Sequence, residues 1–156
     1  FDGEMLKVLL VERGGEPYKG CWAFPGGFLN MDETTDECAV RELEEETGLR
    51  DVFVEQLQAF SDVDRDPRGR TITVAYYALV NPVGINVAGY DDAADARWFT
   101  LSDMPSLAFD HEHVLQVALH RLALKVYLQL NEIEELDEHF KGFDLKRLQD
   151  LIPDKL

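Results

Sequence analysis

Cysteine is scarce in this chain of 156 residues: there are two, Cys21 and Cys38, and they form no C-x-x-C pair. No disulfide framework or cysteine-rich metal finger follows from that, and a reducing compartment, the cytoplasm, is expected. Positive charge is scarce as well. Fifteen Lys and Arg stand against 31 Asp and Glu, a net charge of −16 with His neutral. A surface of that sign repels phosphate backbones and argues against nucleic acid as a partner. Long hydrophobic runs are missing too. The clearest one near the start covers residues 8–11, far short of the roughly 20 needed to span a membrane, so no membrane partner is expected. There is no internal repeat, low-complexity tract or signal-peptide pattern. The chain opens on Phe1 rather than methionine, so further residues upstream are expected.

What is present is a globular composition, 46% apolar and 29% charged, in a length that suits one domain. Residues 5–12, MLKVLLVE, are rich in aliphatic and β-branched side chains and predict a strand. Residues 13–17, RGGEP, predict a turn or loop. A short extended piece at 22–24 is stopped by Pro25-Gly26-Gly27. Residues 34–47 predict a helix: Thr34 and Glu37 have capping-box spacing, and Gly48 is placed to end it. Strands are predicted at 52–60 and 70–80, joined by a turn at 64–69 with Pro67 and Gly69 at suitable offsets. A last short strand is predicted at 96–99. Residues 112–130 predict a long helix, apolar nearly all round. The order of strands, helix, strands, helix argues for a mixed sheet flanked by helices, compatible with an α/β/α sandwich.

The segment GFLNMDETTDECAVRELEEETGL, residues 27–49, carries the chemistry. Residues 32–46 hold eight acids and one base, Arg41. At about 100° per residue, Glu42, Glu45 and Glu46 lie at i, i+3 and i+4 on one helix face. Crowded carboxylates repel one another unless a cation sits among them, and hard divalent cations take oxygen ligands. As a charge pattern alone, the same residues also suit a solvated acidic face.

The spacing matches the box of the Nudix hydrolases, G-x5-E-x7-R-E-U-x-E-E-x-G-U with U a bulky aliphatic residue. The matching positions are Gly27, Glu33, Arg41, Glu42, Leu43, Glu45, Glu46, Gly48 and Leu49. Nine defined positions in 23 residues make a specific signal. The resemblance implies a Nudix-type α/β/α sandwich with a loop-helix-loop catalytic motif, and Mg²⁺-dependent hydrolysis of a diphosphate linkage, with Mn²⁺ as a substitute. Carried over, Glu42, Glu45 and Glu46 resemble the metal ligands, joined by the Gly27 carbonyl. Glu42 or Glu45 resembles the base, with Arg41 beside them, and Glu33 with Arg41 holds the box together.

Residues 64–80, DRDPRGRTITVAYYALV, further resemble the segment after the box in ADP-ribose pyrophosphatases and in related ADP-ribose-responsive regulators. Asp91-Asp92-Ala93 ahead of Trp98-Phe99, and residues 107–111, fit the same group. This implies ADP-ribose as substrate, giving AMP and ribose 5-phosphate. A non-catalytic ADP-ribose sensor and a hydrolase of oxidised nucleoside triphosphates are the alternatives. Substrate contacts are expected from Arg68, Arg65, Asp91 and His111. Each has a plainer reading: Arg65, Arg68 and Arg70 as a solvated hairpin tip, Asp91 and Asp92 as turn residues, His111 as a helix-start residue. His111 and His113, two apart, do not share one helix face, which speaks against a zinc pair. Trp22, Phe24, Tyr76 and Tyr77 either stack a base or pack in the core. The Nudix domain is expected over residues 1–130. The acidic tail, 131–156, is too short and of the wrong sign for the regulators' DNA-binding extension, and is expected to pack on the domain or at a homodimer interface.

Overall fold

The computed structural model of the chain describes residues 1–131 and 140–152. Strands β1 (Lys7–Arg13), β2 (Trp22–Ala23) and β5 (Ala93–Thr100) form one sheet in the order β2-β1-β5, and β3 (Glu55–Phe60) and β4 (Thr73–Tyr77) form a second. These ladders are antiparallel; among the described residues the parallel component is a single bridge from Trp22 to Leu107. Helix α1 (Thr35–Thr47) lies against β5. Helix α2 (His111–Asn131) lies against β3 and α3 (Leu145–Leu151). The result is an α/β sandwich, as the order of elements predicts.

β1 reads as a continuous apolar run because it is the central strand of its sheet, with Leu10 and Val11 both buried. β3 solves a different problem. Leu57 and Phe60 are three apart, so a regular strand would point them to opposite faces. A register shift between Gln56 and Gln58 lets both reach the core. The flanks predicted as strand at 52–54, 70–72 and 78–80 lie outside the ladder. Arg70 instead donates to the carbonyls of Ser61 (2.8 Å) and Asp62 (3.2 Å), closing the loop between the strands.

α2 is apolar on more than one side because it serves two cores. Val114, Val117 and Ala118 pack with Leu57 and Phe60. Leu119, Leu122 and Val126 pack with Phe1, Leu6, Phe140, Leu148 and Ile152. The second cluster seats residues 140–152 against the rest of the chain, with Phe140 and Leu148 fully buried. Tail residues 132–139 and 153–156 lie outside the described residues. Among the described residues no helix is long and apolar enough to cross a membrane.

Candidate active site

α1 is fixed by caps and ion pairs. Thr34 Oγ1 accepts the Glu37 N–H (3.3 Å) and Glu37 Oε2 accepts the Thr34 N–H (2.8 Å), the reciprocal capping box. Gly48, at φ +73°, ends the helix and donates to the Glu44 carbonyl (2.8 Å). Arg41 is the hub between helix and loop. It grips Glu33 through Nε (2.8 Å) and Nη2 (2.6 Å), and donates through Nη1 to Glu42 (2.8 Å) and Glu45 (2.9 Å). Its Nη2 also reaches the Phe28 carbonyl (3.3 Å). The guanidinium holds Glu33 well below the usual carboxylate range, at about 2. In return, Glu33 and Glu42 push the Arg41 pKa up.

Glu42 lies over Gly27. A Cβ at Gly27 would sit 2.3 Å from Glu42 Oε1, so any side chain there displaces the carboxylate. Glu46 turns inward, 6% exposed, and accepts the Gly26 N–H (2.8 Å). Burial pushes it up to about 8, reinforced by Asp92 and Glu42 and opposed by the Gly26 N–H. Glu45 faces outward, its side chain 48% exposed. The three carboxylates of that helix face thus take different surroundings in this structure. Helical spacing sets the Cα positions, but Arg41, the nearest counter-charge, draws Glu42 and Glu45 to itself. Among the described residues no three His, Cys, Asp or Glu side chains are close enough to hold a metal ion as they stand.

The chemistry of the donor set nevertheless suits a hard divalent cation. The donors are carboxylate oxygens, and the buried Glu46 meets two like charges with no basic partner among the described residues. Glu46 lines a cleft of about 460 Å³ that Gly26, Asp92, Arg13 and Arg68 also line.

Four expected substrate contacts divide. Arg68 reaches the cleft, 44% exposed at its side chain, steadied by the buried Asp66 (2.7 Å). Arg65, from the same turn, does not. Its side chain is 4% exposed and forks onto Asp110 (2.9 and 2.6 Å), with Thr73 as a further partner. Of the two, Arg65 takes the inward direction. Asp91 sits exposed in the turn before β5 at φ +54°, while its neighbour Asp92 lines the cleft. His111 accepts the Phe24 N–H at Nδ1 (3.0 Å), and burial lowers its pKa to about 4. A neutral imidazole that accepts this backbone amide at Nδ1 positions the Phe24 segment and keeps its Nε2–H as a donor. Trp22 meets Phe99 edge-on (4.6 Å) and Tyr76 donates to Thr35 (2.8 Å), while Phe24 stacks on His111 (5.2 Å) and also lines the cleft. Arg13 was not singled out by sequence; Phe109 entered only within residues 107–111, and Asp92 only beside Asp91. One signal was available: Arg13 is a base directly after an apolar strand in a strongly acidic chain.

The sequence profile of the NUDIX domain matches residues 1–119. An ADP-ribose pyrophosphatase of Methanocaldococcus jannaschii is 43% identical over 110 residues, covering 70% of this chain and 64% of the relative. The ADPR responsive transcriptional repressor NtrR of Acinetobacter baylyi is 34% identical over 155 residues, covering 97% of this chain and 62% of the relative. The chain thus spans less than two thirds of either protein. Among solved structures, the NUDIX domain of Shewanella oneidensis NrtR complexed with ADP ribose superposes with a TM-score of 0.70 at 36% identity, over 76% of this chain and 79% of that one. With the box residues assembled around Arg41 and the profile covering residues 1–119, the chain belongs to the Nudix family.

Proposed function

We propose that the protein hydrolyses a diphosphate linkage in a nucleoside-diphosphate derivative, with ADP-ribose as substrate and AMP and ribose 5-phosphate as products. One observation carries the reading: box residue Glu46, the acidic Asp92 and the guanidinium of Arg68 line the same cleft. Carboxylates for a cation beside a base for phosphate is the pairing that a diphosphate requires. The similarity to an ADP-ribose pyrophosphatase supports the substrate. Members of the family use divalent metal ions, and Mg²⁺ is the proposed one, with Mn²⁺ as a substitute.

Glu42, Glu45, Glu46 and the Gly27 carbonyl would hold the cation. When bound, it supplies polarisation of a phosphoryl oxygen and a more acidic water. Arg41 orients Glu42 and Glu45 by donating to both, and either would accept the proton of an attacking water. Glu33 fixes Arg41 for that task. Arg68 offsets the charge of the diphosphate. Residues 1–130 are the proposed Nudix domain. A homodimer and a cytoplasmic setting are proposed with it.

The test is an activity panel with Mg²⁺ against ADP-ribose, NADH, diadenosine polyphosphates, nucleoside triphosphates and oxidised purine nucleotides. ADP-ribose should give the highest kcat/KM, and a chelator should abolish turnover. An oxidised triphosphate ahead by a wide margin would replace the substrate.

A second reading has its own observation. Similarity to the NtrR repressor extends over 97% of this chain, past the domain and into its tail, and that repressor is longer than this chain. In this reading the chain senses ADP-ribose for a regulator that binds DNA elsewhere in its length. The net charge argues against DNA on the surface described here. Calorimetry showing tight ADP-ribose binding, with no turnover under several divalent cations, would select the sensor.

A further inference from the structure

The arginines of the box and of the 64–69 turn are already engaged. Arg41, Arg65 and Arg68 hold carboxylates at 2.6, 2.6 and 2.7 Å. Arg13, the last residue of β1, is different. Its Nε donates to the Pro17 carbonyl (2.8 Å), which fixes the guanidinium plane. Its two terminal nitrogens have no hydrogen bond or ion pair among the described residues. It is half-buried and lines the same cleft as Glu46, Asp92 and Arg68.

A second observation concerns what orients it. Arg13 sits over the Phe109 ring at 4.9 Å, and Arg68 sits over that same ring at 5.2 Å. Phe109 is held at φ +54°, a conformation that a bulky residue rarely adopts. Tyr18, at φ +64°, meets Phe109 edge-on at 4.9 Å and steadies it. Backbone strain of about 1–3 kcal/mol persists where the surroundings impose it, and such sites concentrate around ligands. Here the strained residue carries two guanidiniums, and one of them has free donors. Two like charges near one ring repel each other, and an anion bound in the cleft relieves that repulsion.

We propose that Arg13 is the leading phosphate-binding residue of the cleft. Its two free terminal nitrogens fork onto oxygens of the substrate diphosphate, Arg68 is the second arm, and Phe109 is the platform that spaces them. This rests on the cleft being the substrate site proposed above. A planar fork suits a phosphate, and an ammonium does not reproduce it. The cleft also carries Glu12 and Glu16, so an unclamped diphosphate meets mostly negative walls. That is why an uncommitted guanidinium matters there.

The test compares wild type, Arg13→Gln, Arg13→Lys and the control Arg97→Gln, whose arginine pairs with Asp95 and does not line the cleft. Calorimetry with inorganic pyrophosphate in Mg²⁺ buffer should show binding weakened about tenfold or more in Arg13→Gln, with partial recovery in Arg13→Lys and no change in Arg97→Gln. Melting temperatures should stay close to wild type. Pyrophosphate binding that is equal in wild type and Arg13→Gln overturns the assignment, and so does a wild type that binds none at millimolar concentration. The outcomes separate clamp from reaction. Binding lost through Arg13 in a protein that leaves ADP-ribose intact removes the reaction and keeps the clamp. Cleavage of ADP-ribose with unchanged kinetics in Arg13→Gln removes the clamp and keeps the reaction.

Discussion

α1 buries Glu46 and Thr47, whereas α2 buries Val114, Leu119, Leu122 and Val126. α1 is set by a capping box, a glycine stop and the ion pairs of Arg41; α2 is set by apolar area removed from water on two sides. The contrast separates two tasks. A helix that must present carboxylates to a cleft cannot also cover them with core, so it is held at its ends and through one guanidinium. A helix with no such duty carries the stability. The turn at 64–69 has a foot in each region: Arg65 anchors the start of α2 through Asp110, and Arg68 faces the cleft.

Breaking the stability side should have the largest effect. Arg65→Ala leaves Asp110 without its partner and is expected to cost about 3 kcal/mol or more, read from urea unfolding. A shift in midpoint no larger than that of an exposed arginine would return Arg65 to the surface. Leu122→Ala should cost about 2–5 kcal/mol, while activity per folded molecule stays near wild type. Its mirror image is Glu46→Gln. The fold should persist, with a melting temperature at or above wild type in chelator, because a buried carboxylate raised to about 8 is costly to ionise at pH 7. Turnover should fall about a hundredfold or more, since one charge at the proposed cation site is gone. Normal turnover in that variant would end the ligand assignment.

A pH series sharpens the comparison further. The His111 pKa is lowered by burial from 6.5 to about 4. Its neutral form is the one that accepts the Phe24 N–H, so its contribution is fully present above pH 6.5. It is lost progressively as pH falls towards 4, because the unfolded chain takes up the proton first. The loss should be about 3 kcal/mol for so large a shift. His111→Asn keeps an acceptor near Nδ1 without a titrating ring, so its unfolding midpoint should fall less steeply over that window. Parallel curves for the two proteins would remove His111 from the account.

The smallest effect on stability is expected from Arg68→Ala. Melting should change little, while KM for the best substrate rises about tenfold, and Arg68→Lys should recover part of the loss. Unchanged kinetics would leave Arg68 as a hairpin tip.

Local signals in the sequence determined the elements and the box. Thr34, Glu37 and Gly48 act within a turn of their own helix, and the nine box positions are a matter of spacing, so both were legible along the chain. The approximate strands followed from their residue types for the same reason. Which way a charged side chain points is not local. Glu42 and Glu45 turn to Arg41, Arg65 turns to an aspartate 45 positions away, and Asp92 rather than Asp91 lines the cleft. The two-sided burial of α2 depended on where Phe1 and residues 140–152 come to rest. Only the tertiary structure decided these outcomes, because a long polar side chain follows its nearest counter-charge or donor, and that partner is fixed by packing between distant segments.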